Sequence, residues 1–372
     1  MNEEIGAKKT TIININHSGI NNMDKLYIEN KIKSLSKEDL EKLQYVADIL
    51  KSGGIVAFPT ETVYGLGANG LDEKAVEKIF KAKGRPSDNP LILHVASLNQ
   101  MQDLVLEIPQ NVEKLIDRFW PGPLTLVMKK GPKVPDIITG GLDTVAIRMP
   151  AHPIALKLIE MSGLVLAAPS ANISGKPSPT RGEHVVRDLD NKVDAIIMAG
   201  ECNIGLESTV LDMTGGIPTI LRPGGISKSE LEKVLDRVDL DKGLIDSTNI
   251  KPKSPGMKYT HYAPEATVYI VRGKNFVDNI KNLSKKYEKK GKNVGILCFD
   301  DTYNNYDNPV VKSLGARNKL EEAAFNLFNI LREFDDLNVD IVLSEAVEEV
   351  GMGQAIMNRL IKAAGNRIIE GE

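Results

Sequence analysis

Lys83-Gly84-Arg85-Pro86-Ser87-Asp88-Asn89-Pro90 is the stretch from which both the architecture and the site can be read. It lies between a candidate helix, Glu73–Lys83, and an apolar run, Leu91–Val95, that reads as a strand. Gly84 lets the backbone turn or approach a ligand, while Pro86 and Pro90 stiffen the loop. Arg85 offers a planar fork that matches phosphate or carboxylate, and Lys83 adds a point charge. A solvated connector has no need of two stiffening prolines directly after its cations, so the loop reads as an anion site.

Outward from this loop, further strands are expected at Ile55–Phe58, Leu124–Met128, Val145–Arg148, Leu164–Ala167, Ala195–Met198, Thr209–Asp212 and Thr219–Leu221. A helix is expected from Ser36, an N-cap with Asp39 three residues on, and Gly53-Gly54 stops it. Many short strands among fewer helices, in irregular order, predict a mixed sheet rather than strict βαβ alternation. Beyond residue 266 the pattern changes. Buried strands at Thr267–Val271, Val294–Phe299 and Ile341–Ser344 alternate with helices at Val277–Lys290, Leu320–Phe334 and Gln354–Ala364, a small parallel α/β domain. The expected division is therefore an N-terminal arm (1–35), a first domain (36–240), a linker (241–266) and a C-terminal domain (267–372).

Composition bounds the function. At 372 residues the chain exceeds what one core sustains. A net charge of −3 means that no global field draws it to nucleic acid or an anionic membrane, so any phosphate recognition must be local. Cys202 and Cys298 lie far apart, which excludes a disulfide framework and a cysteine zinc site and fits a reducing cytosol. The polar N-terminus lacks the apolar core of a signal peptide, and no apolar run approaches membrane-spanning length. The expectation is a cytoplasmic protein with no membrane contact.

Standard catalytic signatures are missing: no GxxxxGK[ST], HExxH or GxSxG occurs. What the first domain offers is a set of stiff polar loops beside strands. Pro59–Gly67 carries Thr60, Glu61, Thr62 and Tyr64; Pro169–Thr180 carries Ser170, Asn172, Ser174, Gly175, Lys176 and Ser178 directly after an apolar strand. Hydroxyls, an amide, a glycine and a lysine at a strand end make a phosphate cradle. Arg148 and Arg222 each close a strand. Such a site has many fixed donors and no activated nucleophile, which suits nucleotidyl or phosphoryl transfer, where positioning and charge stabilisation dominate.

Together, Pro59–Gly67, Lys83/Arg85 with Ser87–Leu91, and Ser170/Asn172 resemble the YrdC-like domain. With Ser254–Pro264 and Gly351–Arg359, the chain resembles the long, two-domain form of the threonylcarbamoyl-AMP synthase family over roughly residues 36–372. The resemblance implies an α/β fold: a twisted open mixed sheet with a large positive cavity, followed by a Rossmann-like parallel domain. It implies synthesis of threonylcarbamoyl-AMP and pyrophosphate from L-threonine, bicarbonate or CO2, and ATP, by a nucleotidyltransferase that serves threonylcarbamoyladenosine modification of tRNA. Residue by residue it places Thr62, His94, Arg148 and Ser208 on threonine, and Lys83, Arg85, Asn89, Thr144, Ser170, Asn172, Ser178 and Arg222 on ATP, with Lys83 and Arg85 catalytic. Mg2+ would come with ATP, bridging its phosphates, and no side-chain metal site is expected. Ser254–Pro264 is expected to act as a lid with Tyr259 and His261 near the phosphates; Thr260 stands where family lids often carry a basic residue. Further expected partners are a downstream tRNA threonylcarbamoyl transferase and a weak RNA contact.

The rival of a different class is a non-catalytic RNA-binding module using the same positive cavity. Aromatic residues at 5% and a negative net charge are poor for base stacking and backbone tracking. A second rival, an enzyme using carbamoyl phosphate, would be expected to add zinc and acylphosphatase elements, and neither is visible.

Overall fold

A computed structural model describes residues 9–16, 23–245 and 262–371. The expected lid residues Tyr259 and His261 lie outside the described residues. In chain order, the strands before the linker are β1 (Thr11–Asn14), β2 (Val56–Phe58), β3 (Gly65–Asn69), β4 (Ile92–His94), β5 (Leu124–Lys129), β6 (Thr144–Arg148), β7 (Leu166–Ala167), β8 (Ala195–Met198), β9 (Thr209–Asp212), β10 (Thr219–Arg222) and β11 (Asp239–Leu240). Among the described residues they form one eleven-stranded mixed sheet, ordered β1-β8-β2-β3-β7-β4-β6-β5-β9-β10-β11.

Local signals account for several elements. Ser36 caps the helix Lys37–Lys51 by accepting from Asp39 N at 3.0 Å, and Leu43, Val46, Ala47 and Leu50 bury its inner stripe. Asp72 caps Glu73–Lys83 in the same way, and Gly84, at φ 61°, ends that helix in the left-handed conformation. Several elements are not expected from the sequence, the helix Gly182–Leu189 among them, and two are instructive. The helix Lys25–Lys33, within the stretch read as an arm, buries little beyond Ile28 and so leaves a faint periodic trace. The second departure is β3, whose start falls within a stretch read as a loop. Its glycines are a packing requirement, because a Cβ on Gly67 would stand 2.6 Å from the Phe58 ring. β1 adds to the sheet edge in parallel with β8, Thr11 opposite Ala195.

Beyond the linker come β12 (Thr267–Arg272), β13 (Val294–Cys298), β14 (Val311–Ser313), β15 (Ile341–Glu345) and β16 (Ile368–Glu370). They form a five-stranded sheet in the order β14-β13-β15-β12-β16, every pairing parallel. The short strands β14 and β16 join the three expected ones. The two parts share a core: Val63 and Leu206 of the first pack in one buried cluster with Phe328, Leu331 and Met357 of the second. No helix among the described residues is long and apolar enough to cross a membrane. Cys202 and Cys298 are free and buried.

Candidate active site

Strand register draws the polar loops together around β4. His94 at the end of β4 lies opposite Arg148 at the end of β6, while Ala168 N donates to Ile92 O at the other end of β4, at 3.0 Å. β5 pairs in parallel with β9, which brings Ser208, just before β9, to the Arg148 end, and Arg222 closes β10 beside it. The resulting cavity spans about 740 Å3, counting its open mouth. Lys83, Arg85, Arg148, Lys176 and Arg222 line it against one carboxylate, Glu207.

The cavity gathers ten of the residues the sequence singled out: Thr62, Lys83, Arg85, His94, Arg148, Ser170, Asn172, Ser178, Ser208 and Arg222. Asn89 and Thr144 fall outside the lining. Thr144 sits half-buried at the start of β6. Asn89 is a buried residue of the basic loop itself, and neither its Oδ1 nor its Nδ2 has a hydrogen-bond partner. The lining also includes residues not singled out. Glu207 is buried and bonds to residues far away in sequence, so no local signal announces it. Tyr262 falls within the expected lid motif; it takes φ 68°, suited to a sharp turn, and stacks on Phe328 at 5.2 Å.

At the Arg148 end, charge is stored. Arg148 Nη2 lies 2.7 Å from Glu61 Oε1, with both side chains almost fully buried. The approach is close enough for an ion pair but off-angle, so Arg148 Nη2 makes no hydrogen bond, nor does Glu61 Oε2. Arg148 Nε donates to Gly122 O at 3.2 Å. The braced guanidinium thus keeps capacity for a further anion. Ser208 bonds Thr125 at 2.8 Å and accepts from Arg222 Nη2, joining the residues expected on threonine to one expected on ATP.

At the other end, the two polar loops are stitched together by their backbones. Leu66 N donates to Pro169 O at 2.8 Å, Ala171 N to Tyr64 O at 2.8 Å, and Tyr64 N to Pro179 O at 2.9 Å. Lys83 is buried, and its Nζ donates to Ser170 O and Asn172 O, each at 2.5 Å. This ammonium therefore organises the loop before it meets any phosphate. Burial first, then the neighbouring Arg85 charge, lowers its pKa well below the usual lysine value. Arg85 is half-buried and anchors through Nη2 to Pro90 O at 3.2 Å.

His94 is held neutral. Burial, reinforced by the Arg148 charge, lowers its pKa to about 3. Its Nδ1 lies 3.3 Å from Ile92 O, and the Leu166 backbone gives a second hydrogen bond, so the ring is tied to β4 and to β7. A folded pKa below the free value of about 6.5 means that the contribution to stability is full above pH 6.5 and falls as pH drops towards 3. Each pH unit within that window should cost about 1.4 kcal/mol. Denaturant titrations between pH 7 and 5 should therefore show a steeper loss in the wild type than in His94→Asn; equal slopes would remove His94 as the buried titrating group.

Among the described residues no group of His, Cys, Asp or Glu is placed to hold a metal ion. The carboxylates of Glu61 and Glu207 are already faced by Arg148 and Arg359. These donors do not form a Mg2+ site of their own.

The fold and cavity define a two-domain α/β protein whose first domain is of the YrdC type. Residues 48–224 match the Sua5_yciO_yrdC family, described as telomere recombination, and residues 226–365 match the threonylcarbamoyl-AMP synthase C-terminal domain. The threonylcarbamoyl-AMP synthase of Pyrococcus abyssi is 53% identical over 331 residues, covering 88% of this chain and 96% of that protein. The Bacillus subtilis enzyme of that name is 50% identical over 339 residues, covering 90% and 96%. A crystal structure of P. abyssi Sua5 complexed with L-threonine superposes with a TM-score of 0.88 at 49% identity, covering 98% of this chain and all of that one. This chain belongs to the threonylcarbamoyl-AMP synthase family.

Proposed function

We propose that this chain is a nucleotidyltransferase that makes threonylcarbamoyl-AMP and pyrophosphate from L-threonine, bicarbonate or CO2, and ATP. The observation that carries this reading is the cavity itself, where five cations face one carboxylate and a braced guanidinium lies across β4 from the cradle loops. Threonine's carboxylate would meet Arg148, with Thr62, His94 and Ser208 around it. The nucleotide would lie along Arg85, Ser170, Asn172, Ser178 and Arg222, with Asn89 and Thr144 behind that wall.

The chemistry needs no enzymatic nucleophile. The free amine of threonine adds to CO2 and releases a proton to solvent, giving a carbamate. A carbamate oxygen then attacks the α-phosphorus of ATP; that P–O bond forms as the bond to the bridging αβ-oxygen breaks, and pyrophosphate leaves with the electron pair. Arg85 stabilises the charge that builds on the transferring phosphorus and the leaving group. Lys83 acts by holding the Ser170–Asn172 loop in shape, and its charge adds to the same field. Mg2+ would travel on the oxygens of ATP, since Glu207 in the lining and the nearby Glu61 are each paired with an arginine. The adenylate is labile to water, so a downstream transferase that passes the group to tRNA is the natural consumer, and a cover formed by the linker, with Tyr259 and His261, would protect it.

Purified protein given radiolabelled bicarbonate, threonine and ATP should release pyrophosphate and a labelled adenylate only when threonine is present. Folded protein that releases none would remove the proposal, and RNA binding without turnover would favour the non-catalytic module.

A further inference from the structure

Two guanidiniums cross from the C-terminal sheet's helices to the wall of the cavity. Arg359, on the helix Met352–Ala363, is fully buried. Its Nε donates to Glu207 Oε2 at 2.8 Å and its Nη1 to Pro223 O at 2.8 Å. The other oxygen of Glu207 accepts from Ser178 Oγ at 2.5 Å. Burial alone would push the Glu207 carboxyl up, but Arg359 and Arg222 outweigh it and hold the group below its ordinary pKa. Arg332, on the helix Leu320–Asp336, is buried too. It forks onto Asp188 at 2.8 and 3.2 Å and donates to Pro177 O at 2.6 Å. Asp188 in turn accepts from Ile173 N at 3.3 Å.

The segment Ile173–Ser178 is therefore held at three places: Arg332 bonds the Pro177 carbonyl directly, while Asp188 and Glu207, themselves held by Arg332 and Arg359, bond the Ile173 amide and the Ser178 hydroxyl. Ser174, Gly175, Lys176 and Ser178 of that segment line the cavity. Docking alone is served by the shared apolar cluster around Val63, Leu206 and Phe328. Buried ion pairs are weak stabilisers compared with apolar contacts, but they are strongly directional. Their placement, Arg332 on the loop and on Asp188 and Arg359 one residue removed from it through Glu207, calls for an account that apolar packing does not give.

We propose that Arg359 and Arg332 are positioning residues for the nucleotide side of the reaction: through Glu207 and Asp188 they hold Ile173–Ser178 in place, so that the phosphate wall is complete only with the C-terminal domain seated. This rests on the synthase reading given above. The effect should fall on ATP and spare threonine, whose carboxylate end is built on β4 and β6.

The test uses the full chain with Arg359→Gln, Arg332→Gln and Arg359→Lys, measuring threonine-dependent pyrophosphate release while ATP and threonine are varied in turn. The glutamine variants should raise KM for ATP about tenfold, the scale of one well-placed charged hydrogen bond, and leave KM for threonine within twofold. Arg359→Lys should recover part of the loss. Because single changes strand a buried charge, the paired variant Glu207→Gln with Arg359→Met removes both; it should melt near the wild type yet keep the raised KM for ATP. Variants that melt earlier but show unchanged KM for ATP while folded would make both arginines merely structural. A parallel rise in both KM values would equally overturn the proposal. Calorimetric binding of ATP alone reads the same contact without turnover. Absence of turnover in the wild type would therefore remove the synthase reading, while the tenfold difference in ATP affinity would still decide the positioning role.

Discussion

Arg85→Ala is expected to lower kcat about 10²- to 10³-fold while the protein keeps its fold. Arg85 is half-buried at the cavity wall and spends one nitrogen on Pro90 O. Loss of a single preorganised donor aimed at developing charge typically costs this much. The effect should fall on kcat more than on KM for ATP, because the charge on the transferring phosphorus and leaving group grows only in the transition state. Lysine at the position should recover little, since a point charge cannot reproduce a planar fork. Steady-state rates of pyrophosphate release, with circular dichroism as the control for folding, measure this directly; a loss of under threefold would remove Arg85 from the chemistry.

Arg148→Ala should be felt twice. The ion pair with Glu61 is almost fully buried on both sides, and Glu61 accepts no well-aligned hydrogen bond. Removing the arginine leaves an uncompensated carboxylate in the interior, which costs about 3–5 kcal/mol in comparable cases. Urea unfolding should show that loss at neutral pH. The molecules that remain folded should bind threonine poorly, since the carboxylate's partner is gone, while ATP affinity changes little. Arg148→Ala paired with Glu61→Gln should regain much of the stability and none of the threonine affinity. If the pair restored both, the guanidinium would be structural support and no more.

Most of the cavity wall could be read from the sequence because each loop sits beside its own strand. The turn after Lys83, the hydroxyls after Ala167 and the arginines closing β6 and β10 carry their chemistry in residue types that a connector does not need. The role of Lys83 was only half legible. Its type predicts a phosphate contact, but the fold turns its donors onto the carbonyls of Ser170 and Asn172, a direction that depends on where the other loop lies. Glu207 was not legible at all. It sits between Leu206 and Ser208 with no basic neighbour, and its partner stands 152 residues later on a helix of the other domain. The helix Lys25–Lys33 escaped for a simpler reason: its apolar stripe is short, Ile28 fully buried with only Tyr27 and Ile32 partly buried beside it.

The brevity of β4 makes it a gauge. Only Leu91 and the three residues of β4 separate the basic loop from the Arg148 end, roughly 13 Å of extended chain. That interval is measured in backbone atoms, so repacking the surrounding side chains leaves it unchanged. One inserted residue would turn either Ile92 or His94 to the opposite face of the sheet. Two would restore the facing but add about 7 Å, setting the carboxylate anchor and the phosphate cradle too far apart for one short carbamate to bridge. On the proposed placement of threonine and ATP, this short stretch sets the distance between the two.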